Sequence, residues 1–516
     1  MNIRNLKEPV MKNFRVRQMW VAVLTTILIV AGSIGLAEAK ALFVANNGLD
    51  IATCGAIASP CRTISKAIEN ADPGDKIIVG PGRYGDLDGD GTFNPILGEE
   101  KAEVGTGCFC MIKLDKPLDI ESRDGAAATV LDGGKELSAV VGIFASNVVF
   151  GRKKKGFTLT HGNLGMYINF GTSGVRVEGN LVSANSTLGF RIHGNGHVLS
   201  SNLVIADGLT GFELNDSGLV LNGNQAIANM LGFVLNGSGH QLSGNIASAN
   251  SDKGFAIGGN GGHHFSSNVA SANGTGFDVA FGNSNVFTGN IVHGNRSHGF
   301  LIESGAGHML TGNSILGNGG FGIDLSSGAG ATITKNNIYG NGEGLRDDSG
   351  AETNATNNFW GAATGPGDNP ADGLLIGPTS NTIFTPFATK EFKIKTVTPL
   401  AEPGLIILTD PEQSEIPQAP SLTPIQFLKA LQTKEGWLFR TTGNVSALRL
   451  EVMDLSGKKI YDSGLVKGQT LSWTRVNAKD QSVAKGVYLY RLTARDRDGN
   501  EIHSELRKLI IENFFE

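Results

Sequence analysis

A Gly followed by an apolar residue recurs through the middle of the chain at steps of 21 to 24 residues, and this period constrains the fold more than any other feature. The apolar member falls at Met166, Phe190, Phe212, Phe233, Phe255, Phe277, Phe300, Ile323 and Leu345. An Asn column keeps step with it through Asn180, Asn202, Asn224, Asn245, Asn268, Asn290, Asn313, Asn336 and Asn357. A second column follows at Asn185, Asp207, Asn229, Asn250, Asn273, Asn295, Asn318 and Asn341. Within a repeat apolar residues alternate, as in Phe233-Val234-Leu235, which is strand periodicity in runs too short for helices. Such segments cannot bury a face alone. Stacking coils one strand spacing apart, about 4.8 Å, solves that problem. The pattern predicts an all-β, right-handed parallel β-helix with Phe and Leu stacked inside and Asn bonded along the axis at the corners. The 72 glycines, with no Gly-X-Y period, match the many tight turns such a solenoid needs.

The ends of the array are read from different signals. Lys12, Arg15 and Arg17 precede an apolar run from Val21 to Leu36, and Ala37-Glu38-Ala39 fits a small-x-small cleavage site, so residues 1–39 read as a signal peptide. The run is short for a membrane span, and no stable membrane insertion is expected after cleavage. Removing 1–39 takes away five basic and two acidic groups, leaving 38 against 46, or −8, which argues against nucleic acid as a partner. From Ser59 to Ala71, Ile64, Ala67, Ile68 and Ala71 share one helical face; Ser59 is the expected N-cap and Pro60 the first helical residue. This helix is expected to cap the open N-terminal end of the coil stack, with the β-helix covering 40–395. Six prolines between Pro399 and Pro424 mark a linker at 396–425. Alternating segments such as Leu448–Val452 and Gly486–Leu492 then predict a small antiparallel β-sandwich at 426–516. The four cysteines suit an exported protein. Cys54 and Cys61 are expected to pair, whereas Cys108 and Cys110, two apart on one strand, leave their pairing open.

The stretch CRTISKAIENADPGDKIIVGPGRY, from Cys61, resembles the entry segment of bacterial β-helix proteins of the pectate-lyase-like superfamily. The GN…N…GF coils resemble the repeats of that group and of periplasmic copper-maturation proteins of the NosD type, and NNFWGAATGP at 357–366 resembles their closing motif. VMDLSGKKIYDSG and AKGVYLYRL resemble the immunoglobulin-like domain of hook-capping proteins and of type IX sorting domains, or a generic attachment module. The resemblance implies a fold rather than an activity, since one scaffold of this kind carries lyases, hydrolases, epimerases, adhesins and binding proteins.

Charge on the outward columns points to where chemistry would sit. Glu303, Asp324, Arg346 and Asp348 fall on successive coils and are the candidate catalytic residues; carboxylates beside an Arg suit proton abstraction or acid–base glycoside hydrolysis, or are a solvated charged face. Arg191, His193 and Glu213 form a weaker cluster, and Arg152-Lys153-Lys154-Lys155 is either a solvated corner or a contact for an anionic polymer. Asp86, Asp88 and Asp90 resemble a calcium loop, with Leu97 where a complete loop needs Glu and Glu99 or Glu100 as substitutes. His197, His240, His263 and His308 share a column; of these only His240 with His263 or His264 is placed to share a metal ion, and the alternative is turn capping. Motifs of the better-marked enzyme branches, NTD, DD with GHG, WIDH and DPHD, are missing. The expectation is a secreted, extracellular, cell-surface or periplasmic β-helix that binds extended polysaccharide or serves as an adhesive scaffold, with no required cofactor. The alternative is a lyase, hydrolase or epimerase acting on uronic acid polymers.

Overall fold

The computed structural model describes residues 39–394 apart from 88–92, 95–97, 101–102, 106–107, 135–137, 327 and 368–370, the strand pair at 398–399 and 406–407, and most of 426–511. The predicted leader and most of the predicted linker lie outside the described residues. The chain divides into two compact units, Met1–Pro411 and Glu412–Glu516.

In the first unit three sheets run the length of a parallel β-helix. Sheet I has 14 strands, from Ala41–Val44 to Asn381–Ile383; sheet II has 11, from Gly82–Gly85 to Asn337–Tyr339. Sheet III has 13, opening with an antiparallel hairpin of Glu103–Gly105 with Cys108–Leu114 and closing with Glu343–Asp347 and Leu374–Ile376. The predicted apolar column is the register of sheet III, with Met166 facing Phe190, Phe190 facing Phe212, and so on to Leu345. Phe190, Phe212, Phe233, Phe255, Phe277 and Phe300 stack inside with successive ring centroids 4.5–4.9 Å apart and nearly parallel planes. All six rings are fully buried, each removing on the order of 2 kcal/mol of apolar surface from water.

The corners explain the Asn columns. Along the ladder, Asn245 donates both its backbone N–H (2.9 Å) and its side-chain amide (3.0 Å) to Asn268 Oδ1, and the amide also reaches Leu221 O at 2.9 Å. Neighbouring rungs repeat this, so buried corner groups find partners on the adjacent coil. The residue before each rung is left-handed, as at Gly179, Ser201, Gly223, Gly244 and Lys335 for the first ladder and Ala184, Ala206, Ala228 and Ala249 for the second. This corrects the last rung. Asn357 holds the left-handed position (φ 58°), and Asn358 accepts from Asn336, because the corner turns one residue before the rung.

The capping helix is also shorter than expected. Helix α1 spans Ile64–Asn70, with Thr63 as N-cap accepting from Lys66 N–H. Cys61 cannot join it, since its N–H donates to Phe43 O, its carbonyl accepts from Ala45, and its sulfur is bridged to Cys54. Glu100, buried, completes the helix start by accepting from Ile64 and Ser65 N–H at 2.6 and 3.0 Å. Cys108 and Cys110 sit on one strand face with paired sulfurs and Cα atoms 5.3 Å apart.

The second unit contains two antiparallel sheets around a core that includes Phe439, Leu450, Trp473, Tyr490 and Leu492.

Candidate functional site

The Gly before each stacked aromatic shapes the face on which charge collects. Strict alternation would point that Gly outward. Instead both Gly and aromatic face inward: a Cβ on Gly254 would lie 2.7 Å from Gly276 O and 2.8 Å from the Asn273 amide, so only Gly fits. Two inward residues in a row shift the phase of the strand and bring the residue before the Gly to the outer face, where it is partly or fully exposed at Lys253, His298, Phe321 and Glu343 and covered at Thr275. On successive coils of sheet III that position carries Lys253, Thr275, His298, Phe321 and Glu343. The position after the aromatic carries Ala256, Asp278, Leu301, Asp324 and Arg346.

These two columns interlock. Lys253 reaches one coil ahead to Asp278 (2.6 Å), and His298 reaches one coil ahead to Asp324 (3.7 Å). Arg346 grips Asp324 from the other side through Nε at 2.7 Å and a terminal nitrogen at 2.5 Å, and its guanidinium lies 4.5 Å from the Phe321 ring, which also stacks on His298. Asp278 and Asp324 are buried beneath these side chains. Burial works most strongly against the charge on Lys253, but the hydrogen bond it donates to Asp278 and the negative charges of Asp278, Asp252 and Glu303 together hold the ammonium above its ordinary range. Burial pushes the His298 imidazole below its usual value despite the Asp324 carboxylate. The two centres, each anchored on a buried Asp, are two coils apart, about 10 Å along the axis, with Leu301 between them.

The structure thus brings together Asp324 and Arg346 from the predicted set, with Asp348 3.6 Å from Arg346 at the exposed rim. Asp324 lies under the surface rather than on it. Glu303 is exposed and joins neither Asp324 nor Arg346; its charge acts on Lys253. Alternation alone places Lys253, His298 and Phe321 inside and so misses them as site residues; Asp278, which it places outward, was not among the candidates. Asp278 Oδ1 is buried with no hydrogen-bond partner among the described residues. Phe281, just past the Asp278 strand, is 65% exposed.

The weaker cluster is tied internally, with Arg191 bridging Glu213 at 3.0 Å and His193 3.8 Å from Asp216. In the expected calcium loop, Asp88 and Asp90 lie outside the described residues and Asp86 is buried. Neither substitute is free there: Glu99 accepts from Leu87 and Asn94 N–H at 2.8 and 2.6 Å, and Glu100 caps α1. Asp132, which no repeat or motif in the sequence marks, is buried, accepts from His161 Nδ1 at 2.7 Å and pairs with Arg83.

Residues 220–362 match the family model described as periplasmic copper-binding protein (NosD). No curated protein matches the chain in sequence. Among solved structures, the mannuronan C-5 epimerase AlgE6 A-module of Azotobacter vinelandii is 15% identical over 62% of this chain and 92% of its own, with a TM-score of 0.36. A mannuronic acid specific family 6 polysaccharide lyase from human gut microbiota is 10% identical over 61% and 87%, TM-score 0.38. A rhamnogalacturonan lyase is 14% identical over 70% and 91%, TM-score 0.34. These are likenesses of fold.

Among the described residues the histidine column does not fit a copper ion. His240 and His263 stack with ring centroids 4.9 Å apart, and each Nδ1 accepts a backbone N–H, from Leu219 and His240 respectively, at 3.2 Å. Among the described residues the one group of three close candidate ligands is Asp50, Cys54 and Cys61, whose sulfurs are bridged to each other.

Proposed function

We propose that the coil stack is an extracytoplasmic polysaccharide-binding scaffold that takes a neutral, extended glycan along the outer face of sheet III between Lys253 and Asp348. The observation that carries this reading is the prior pairing of both fixed cations. Lys253 is held by Asp278 and Arg346 by Asp324, so two cations face five carboxylates once Glu303, Glu343 and Asp348 are counted. A polyuronate would meet surplus negative charge. Sugar hydroxyls, which both donate and accept, would find fixed donors and acceptors on successive coils. The two centres repeat at a distance comparable to two sugar rings, and exposed Phe281 offers an apolar surface beside them. The match of residues 220–362 to a periplasmic family supports the location.

The test incubates the full chain with xylan, glucomannan, polygalacturonate and alginate, following co-sedimentation, polymer size and unsaturated product. Binding to a neutral polymer without size change is expected, weakened about tenfold (about 1.4 kcal/mol) by Asp278→Asn in a variant that circular dichroism shows to be folded. Binding confined to the uronates would overturn the reading. A second reading, a polysaccharide-cleaving enzyme, is favoured by the buried, partnerless Asp278 Oδ1 beside the Lys253 ammonium, an arrangement suited to a general base. Depolymerisation abolished by Asp278→Asn would put that reading in place of the first.

A further inference from the structure

The corner between sheets I and II is turned in two residues on later coils, as at Gly179-Asn180 between strands Arg176–Glu178 and Leu181–Ser183. Two early coils depart from this: six residues, 123–128, join Asp119–Ser122 to Thr129–Asp132, and the next coil departs further. Between Val149–Phe150 and Thr158–Thr160 the chain takes seven residues, 151–157, and four of them are Arg152, Lys153, Lys154 and Lys155. The insertion is a tight turn, closed by Lys155 N–H to Arg152 O at 2.7 Å with Lys154 left-handed (φ 65°). It folds its ends back over sheet I. Arg152 reaches Asp119 (2.6 Å) and Glu121 (3.2 Å), Lys155 reaches Glu121 (2.7 Å), and Lys76 from the first coil reaches Glu121 at 2.9 Å.

Three cations therefore share Glu121, which is 2% exposed, while their own side chains remain 32–48% exposed. Burial opposes the charge on Glu121, but the bonds from Lys155 and Lys76 hold its carboxyl below the usual range, so it stays a fixed anchor. Lys153, Lys154 and Arg176 are exposed, and their side chains have no carboxylate partner among the described residues. Lys76, Arg152, Lys153, Lys154, Lys155 and Arg176 against Asp119, Glu121 and Glu178 make six against three, a local +3 on a chain whose formal charge is −5. Glu121 lies underneath, Asp119 and Glu178 are partly exposed beside it, and the cations lie on top.

We propose that this corner is a second binding site, for a linear acidic polysaccharide running parallel to the helix axis. Lys76 and Arg176 lie in one register column, three strand spacings or about 15 Å apart, so the cations form a stripe rather than a point. A stripe of partly exposed ammonium and guanidinium groups that outnumber their carboxylates, one of them the buried Glu121, matches the spaced anions of a polymer. No large exposed hydrophobic residue lies on the strands or turn that carry it, so a membrane surface would gain only headgroup contacts here. This site is separate from the charge-paired face of sheet III and does not depend on what that face binds.

The experiment measures binding of the full chain to dextran sulfate and polygalacturonate at low and high salt, with neutral dextran, phosphatidylglycerol vesicles and a single-stranded DNA oligonucleotide as comparisons. Both acidic polysaccharides are expected to bind, with affinity falling steeply as salt rises. Lys153→Glu combined with Lys154→Glu changes two unpartnered side chains. It should weaken binding at least tenfold without moving the melting temperature, whereas the same charge change at Lys390→Glu, an exposed lysine that belongs to neither site, should leave it unchanged. The proposal fails if neither polymer binds at low salt, if the double variant binds as wild type does, or if vesicles or the oligonucleotide bind as tightly as the acidic polysaccharides.

Discussion

Asp207 occupies a ladder rung that Asn fills on the coils before and after it. Its Oδ1 accepts from Asn185 N–H at 2.8 Å and from the Asn185 amide at 3.3 Å, and its own N–H donates to Asn229 Oδ1 at 3.0 Å. An Asn there would donate a side-chain N–H onward as well, as Asn229 does to Asn250 at 3.3 Å. An ionised carboxylate has no proton to give and faces an oxygen in a buried corner. Burial pushes its carboxyl up to about 7, with the bonds from Asn185 pulling the other way. Because the folded state holds this proton more tightly than the unfolded chain, the stabilisation is complete below the ordinary Asp range. It is lost as pH rises through about 7. Asp207→Asn should therefore raise the melting temperature at pH 8 and change it little near pH 4. The gap to an ordinary Asp sets the gain at about 4 kcal/mol at most. Thermal melts of both proteins across that range check it; an equal shift at both ends would mean that ionisation of Asp207 is not what strains the rung.

At the scale of an element, the third corner column shows the same logic with imidazoles. His197, Leu219, His240, His263, Asn285 and His308 follow one another, and His263 N–H donates to Asn285 Oδ1 at 3.0 Å just as His240 N–H donates to His263 Nδ1. Burial lowers His240 to about 3 and His263 to about 4, with His263 adding to the effect on His240. For a depressed His the contribution is complete above the unfolded value near 6.5 and is lost as pH falls toward 3–4. Replacing His240 and His263 by Asn, the residue that Asn285 supplies in the same column, keeps an acceptor for each backbone N–H. The drop in melting temperature between pH 7 and pH 4.5 should shrink in that variant, as circular dichroism would show. The columns themselves were legible because each coil must present the same group at the same corner, and repetition makes that visible in one sequence. The phase of the sheet III strands was not. Alternation counted from Phe255 or Phe300 places Lys253 and His298 inside; the inward Gly254 and Gly299 reverse this, and the reason is a Cβ clash with the next coil. Asp324 and Arg346 were found because they follow that Gly. Burial of Asp324 was not legible, since it depends on side chains arriving from the coils on either side. Asn357 and Asn358 are alike in composition, and only the left-handed turn tells rung from corner.

For the whole molecule, the two charged surfaces are separated along the sequence by a coil with no charge on it. Val220–His240 contains neither Asp, Glu, Lys nor Arg, and Gln241 is the register partner of Val220. Deleting Val220–His240 joins Leu219 directly to Gln241 and puts Leu219 where His240 stood. Every later strand then keeps its sheet and its phase. If each coil is held chiefly by its two neighbours, the coil stack of such a chain should fold and melt in one transition, with a calorimetric enthalpy lower by about 15 kcal/mol for 21 residues lost. Binding of xylan at the sheet III face and of dextran sulfate at the basic corner should be retained, because each site is built within its own coils. Deleting only Val220–Met230 removes about half a coil and would bring sheet III residues into line with sheet I, breaking both Asn ladders; that chain should not fold. Parallel calorimetry of the two deletions separates the possibilities. If the full-coil deletion fails as the half-coil deletion does, stability does not reside in neighbour contacts, and this coil's own side chains, Phe233 and Asn224 among them, have to be irreplaceable.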